Sequence, residues 1–108
     1  MTKDSMSFGR QISKARKAMA MSQKELAARI RKEEDDTAIS PQYLNDIEHD
    51  RRSPTSDHLI RQFAKVLDID EGVLFLTAGK FPDDLRSKLD DPVKAAAAFV
   101  NFRRAITD

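Results

Sequence analysis

The stretch "LAARIRKEEDDTAISPQYLNDIE", residues 26–48, holds two apolar-patterned segments that read as helices, separated by a run too polar to be core. Just upstream, Ser22 stands three places before Glu25. This is the spacing of a capping box, in which hydroxyl and carboxylate each satisfy a backbone N–H of the other residue. Leu26, Ala27 and Ile30 then supply an inner face. Downstream, Ser40 followed by Pro41 starts another helix, because serine caps and proline suits the first helical position, where no N–H is required. Leu44 and Ile47 face inward there, which leaves Gln42, Tyr43, Asn45, Asp46 and His49 on or near the outside. Between the two lies "RKEEDDTA", residues 31–38, with four consecutive carboxylates from Glu33 to Asp36. The pattern predicts that the first of these helices runs on through Arg31 or Glu33 before "EDDTA" turns the chain into Ser40. Glu33 and Glu34 at its end would oppose the helix dipole and fray it.

Outward from this centre, spacings of three and four recur and alternating strand-like runs are missing, so the chain reads as all-α. A helix opening after Ser5 or Ser7 aligns Phe8, Ile12, Ala15 and Met19 on one face, with Arg10, Lys14, Arg16 and Lys17 on the others. "HDRRSPTS" is a loop broken by Pro54, and Thr55 or Ser56 caps a helix with Leu59, Ile60, Phe63, Ala64 and Leu67 inside. Asp70 caps a short fifth helix, "EGVLFLTA", which Gly79 ends in the left-handed conformation. Beyond it, "FPDDLRSKL" offers one or two turns. "DDPVKAAAAFVNFRRAI" makes a last helix with Asp91 as cap and Pro92 at its first position. The expected organisation is a five-helix domain over residues 1–79 and a helical extension over 80–108.

A length of 108 residues suits one compact domain with a short appendage. The absence of cysteine excludes disulfides and thiolate metal sites. Two histidines, His49 and His58, do not argue for a metal, and no cofactor is expected. Without a Gly-rich phosphate loop, a ligand cluster or a nucleophile paired with a base, an enzyme is the weakest reading. No run has signal-peptide character or approaches the roughly 20 apolar residues of a membrane span, so a cytoplasmic location with no membrane partner is expected. Net charge is only +1, yet residues 1–32 carry nine Lys or Arg against Asp4 and Glu25, a balance of +7, and the remainder carries ten against sixteen, a balance of −6. Such asymmetry is expected when one face meets a polyanion.

The ordered segments "MSQKELAARI", "ISPQYLNDIEHDRRSP" and "LIRQFAKVLDIDEGVLF" resemble the lambda-repressor-like helix-turn-helix family, the Cro or xenobiotic-response-element type, over roughly residues 7–76. The resemblance implies a five-helix DNA-binding domain, here followed by the C-terminal helical extension. It also implies a transcriptional regulator, most plausibly a bacterial or phage repressor that binds a palindromic or near-palindromic operator as a homodimer at the nucleoid. Ser22, Gln23 and Lys24 would meet phosphate at the start of the second helix. The third helix would lie in the major groove, with Ser40 at its start and Gln42 and Asn45 able to pair bidentately with adenine. Tyr43 would either touch a thymine methyl or phosphate or pack over the insert. Asp46 would either accept from cytosine N4 or pair with a neighbouring arginine. Arg51 and Arg52 are the expected phosphate clamps. Arg16 and Glu48 match the positions of a structural ion pair tying the first helix to the end of the third.

Two features depart from the family pattern. Asp50 stands where a glycine is usual after the third helix, and the acidic insert lengthens a normally short joint. That insert would either tune down non-specific DNA binding or contact another protein. In the last helix, Ala95, Phe99, Phe102 and Ile106 form one apolar stripe, while Val93, Ala96 and Val100 form another. One stripe packing on its own domain and the other on a partner subunit would make Phe99, Phe102 and Ile106 dimerisation contacts; a single broad stripe folded onto the fifth helix is the other arrangement. An alternative function is an antitoxin or protein-binding module whose tail sequesters a partner protein and whose helix-turn-helix only autoregulates.

Overall fold

A computed structural model describes residues 6–54 and 56–107. The helices are α1 (Phe8–Ala18), α2 (Gln23–Arg29), α3 (Pro41–Glu48), α4 (Asp57–Leu67), α5 (Glu71–Thr77), α6 (Asp83–Arg86) and α7 (Pro92–Thr107), with a 3-10 turn over Ser87–Asp90 between the last two. Among the described residues there is no strand, and a single isolated antiparallel bridge joins Arg31 and Ala38. None of these helices is long and apolar enough to cross a membrane.

Each early helix begins where its cap lies in the sequence. The hydroxyls of Ser7, Ser40 and Ser56 accept from Arg10, Tyr43 and Leu59 N–H, and the Ser22–Glu25 capping box is complete. Thr55, the other cap considered for α4, and Ser5, the other for α1, lie outside the described residues. Asp70 caps α5, and Gly79 follows it at φ +70°. The caps matter because they satisfy N–H groups that no helix can satisfy for itself.

The core draws on α1 to α5. Ile12, Leu26, Ile30, Leu44, Ile47, Ile60, Phe63, Leu74 and Phe75 are its largest fully buried members. Phe8 meets the Phe63 ring edge-on at 6.0 Å. Met19 departs from its expected place: it follows α1 as the C-cap and is half exposed, and Met21 is buried instead. The left-handed Ala20 lets the chain double back there, and Met21 N–H donates to Arg16 O.

The joint between α2 and α3 corrects the sequence-based expectation. α2 stops at Arg29, Ile30 is already extended, and residues 31–38 form a small hairpin rather than more helix. Ile39 N–H donates to Ile30 O at 3.0 Å and Lys32 N–H to Thr37 O at 2.8 Å. Asp36 takes the left-handed position of the turn, and Asp35 Oδ1 accepts from both Thr37 N–H and Thr37 Oγ1. The physical reason is burial. Ile30 and Ile39 are both buried at the base of the hairpin, whereas the residues between them offer a continued helix no apolar face. Hydrogen bonds from Arg31 N–H to Gln62 and between His58 and Arg31 O pin the hairpin onto α4.

The extension is attached by charge. Buried Asp57, at the start of α4, accepts from Asp83 N–H at 3.0 Å and from Arg86 at 3.3 Å, and Lys80 Nζ lies 3.5 Å away. No residue of α7 is buried. Neither of its two apolar stripes is sealed against its own domain: Phe99, Phe102 and Ile106 on one, and Val93 and Val100 on the other, are all exposed. Folding of a single stripe onto α5 is therefore not what the structure adopts.

Candidate nucleic-acid interface

The interface candidates converge on α2, α3 and the loop after α3. α3 buries Leu44, Ile47 and Glu48, leaves Gln42 exposed, and turns Asn45 and Asp46 partly to solvent. A helix so anchored presents one polar row on a fixed base.

Two connected networks organise these residues. The inner one begins with Arg16, whose Nε and Nη2 donate to Glu48 Oε2 and Oε1 at 2.7 and 2.9 Å, while Nη1 donates to Met21 O at 2.9 Å. The pair is bidentate and buried, the geometry in which a guanidinium–carboxylate contact is strongest. Gln23 Nε2 adds donations to Glu48 Oε1 and to Asn45 Oδ1, both at 3.0 Å. Burial pushes the Glu48 carboxyl up, but hydrogen bonds from Arg16 and Gln23 and the Arg16 charge outweigh it and hold it below the usual carboxylate range. The hydrogen bond to Glu48 holds the Arg16 guanidinium above its ordinary value.

The outer network centres on Asp46. Its Oδ1 accepts from Gln42 Nε2 at 3.1 Å and from Arg51 Nε at 3.1 Å, and Arg52 Nε lies 4.0 Å from Oδ2. Arg52 also sits over the Tyr43 ring, 5.4 Å from its centroid. Asp46 thus pairs with the neighbouring arginines and draws both along the exposed side of α3. Tyr43 is half-buried and borders a cleft shared with Lys32, Glu34 and Ala38 of the hairpin.

At the start of α2, the capping box uses the N–H groups of Ser22 and Glu25. Those of Gln23 and Lys24 have no acceptor among the described residues and stand at the positive end of the helix, next to exposed Lys24. Ser22 and Ser40 have their hydroxyls engaged as caps. Asn45 differs from a free base reader because its acceptor oxygen is held by Gln23. Gln42 keeps its carbonyl oxygen open.

Sequence reasoning passed over the brace behind this surface. Asp50 takes the left-handed conformation at φ 58°, and its carboxylate accepts from Gly9 N–H at 3.0 Å and Ser7 Oγ at 2.7 Å. Its side chain repays the conformation that a glycine would adopt freely. Gly9 allows α1 to reach the end of α3, since a Cβ there would sit 2.3 Å from Ile47 O and 2.7 Å from Glu48 O. The signal was a glycine inside a helix, a placement that costs stability unless close approach requires it.

Neither a curated protein nor a solved structure matches the chain. A helix-turn-helix family model does match, over residues 12–74, from the second turn of α1 into α5. That span covers more than half of the sequence and contains both networks. The chain therefore belongs to the lambda-repressor-like helix-turn-helix family, the xenobiotic-response-element type of DNA-binding transcriptional regulators.

Proposed function

We propose that the chain is a sequence-specific repressor that binds a palindromic or near-palindromic operator as a homodimer at the nucleoid. The observation that carries this reading is the exposed row of α3, held from behind by the buried Arg16–Glu48 pair. An α-helix fits the major groove, where base edges carry distinguishable donor and acceptor patterns. Gln42 is the principal reader. Its bond to half-buried Asp46 exchanges for a bidentate pair with adenine. Asn45 reads from its free amide donor while its oxygen orients Gln23. Arg51 and Arg52 leave Asp46 for phosphate, and Tyr43 buttresses Arg52. Ser22, Gln23 and Lys24 offer backbone and side-chain donors to phosphate at the start of α2, and Ser40 fixes the entry of α3. Residues 1–79 form the reading domain, and residues 80–108 the dimerisation element, through Phe99, Phe102 and Ile106.

On a selected duplex, Gln42→Ala should cost about 1–3 kcal/mol and relax preference at one position of each half-site. Binding to the full set of single-base variants measures this; an equal loss on every variant would refute base reading by Gln42. A second reading, a module whose tail captures a different protein, draws on the exposed apolar face of α7. It requires the pure chain to remain monomeric, which sedimentation decides.

A further inference from the structure

We propose that the groove bounded by the end of α5, the α6 elbow and α7 receives α7 of a second copy, the two α7 helices running antiparallel across a two-fold axis at the level of Ala97. The proposal rests on the dimeric reading above and deepens it by naming the mating surface and its polarity. The groove encloses about 550 Å³ and is lined by Leu76, Phe81, Leu85, Leu89, Phe99 and Phe102. Its depth comes from α7 standing off the body, to which the elbow is tied through Asp57.

Area favours a partner of this size. Leu76 and Ile106 are about two-thirds exposed, at 67% and 65%, and Phe81, Leu85, Phe99 and Phe102 about half. Since an aromatic side chain can bury about 150–250 Å² when covered and an aliphatic one less, these six leave roughly 500 Å² of apolar surface, more than half of the ~800 Å² that each partner contributes to a standard interface. That lies toward the upper end of the apolar patches a monomer usually exposes, and such patches are often functional.

Charge selects the occupant and its direction. Asp90 and Asp91 stand at the start of α7, flanked by Lys88 and Lys94 of the groove wall, and Arg103 and Arg104 stand near its end. Twelve or thirteen residues of helix separate Asp91 from these arginines, roughly 18–20 Å at the usual rise, too far to meet within one chain. Among the described residues, Asp90, Arg103 and Arg104 make no ion pair. An antiparallel second copy brings each acidic end onto a basic end, twice by symmetry, and also opposes the helix dipoles. A parallel arrangement would set like charges together. The small side chains of Ala95 and Ala98 on the groove face let the two backbones approach.

The full chain lacks cysteine, so a single introduced thiol is unique. Under mild oxidation Ala98→Cys, on the groove face beside the two-fold, should give a covalent dimer and Val100→Cys, on the opposite face, should not, since a disulfide requires Cα atoms within about 7 Å. Arg103→Glu with Arg104→Glu should weaken self-association at least several-fold in sedimentation equilibrium, and adding Asp90→Lys should recover it. Asp91 is left in place because it caps α7. Absence of an Ala98→Cys dimer, equal cross-linking at both positions, or indifference of association to the charge reversal would each overturn the proposal. Binding to a half-site duplex is read alongside; it reports the α3 surface alone, so failure of this interface and failure of DNA reading register separately.

Discussion

At the scale of single residues, the proposed reading surface depends on groups that stand behind it, Arg16 and Glu48 buried among them. Removing Arg16 would strand the buried Glu48 carboxylate. Arg16→Met should therefore lower unfolding free energy by about 3–5 kcal/mol, measured by urea denaturation. The pH dependence has a definite sign. Glu48 is depressed in the folded chain, so its contribution is present above its unfolded value of about 4.3 and is lost as pH falls through the lower folded value. The urea midpoint should drop on acidification into that range, and Glu48→Gln should flatten the drop; an unchanged profile would contradict the assignment. Gly9→Ala should cost about 1–3 kcal/mol by forcing α1 off the end of α3. A neutral Gly9→Ala would remove the close approach from the account. The ion pair was legible only through family resemblance, and the Gly9–Asp50 brace was not, because it joins residues 41 positions apart that no local pattern relates.

At the scale of elements, capped starts were legible because a cap is a local contract between a side chain and N–H groups two or three residues on. Ser22, Ser40 and Asp70 stand at the positions their spacing implied. The hairpin was not legible. Its pairing depends on Gln62 and His58 of α4 and on two isoleucines nine residues apart, and the apolar helical pattern ended at Ile30. Ordered by Asp35 and Thr37, the hairpin carries four carboxylates beside the start of α3. In the proposed reading they would repel phosphates that a loosely docked domain meets. Excision of Glu33 to Ala38 should raise affinity for non-specific duplex several-fold at low salt and less at high salt, by the screening of exposed charges. Fluorescence anisotropy across salt concentrations measures it, and unchanged non-specific affinity would assign the hairpin to another role.

At the scale of the whole molecule, the chain divides its labour along its length. Most of the basic first third and the polar α3 row share the part spanned by the family match, and an apolar groove lies almost wholly beyond it. The order of helices was readable because each buries its own stripe within the chain. The packing of α7 was not, since no residue of its apolar faces is buried among the described residues. In the proposed dimer, two such reading domains address one site, which makes the symmetry of the bound DNA the most direct test. The measurement is selection of bound sequences from random duplex DNA by the full chain. The account predicts enrichment of a two-fold symmetric site whose half-sites lie about 10–10.5 base pairs apart, or a multiple of that. Recovery of no motif at all would contradict it.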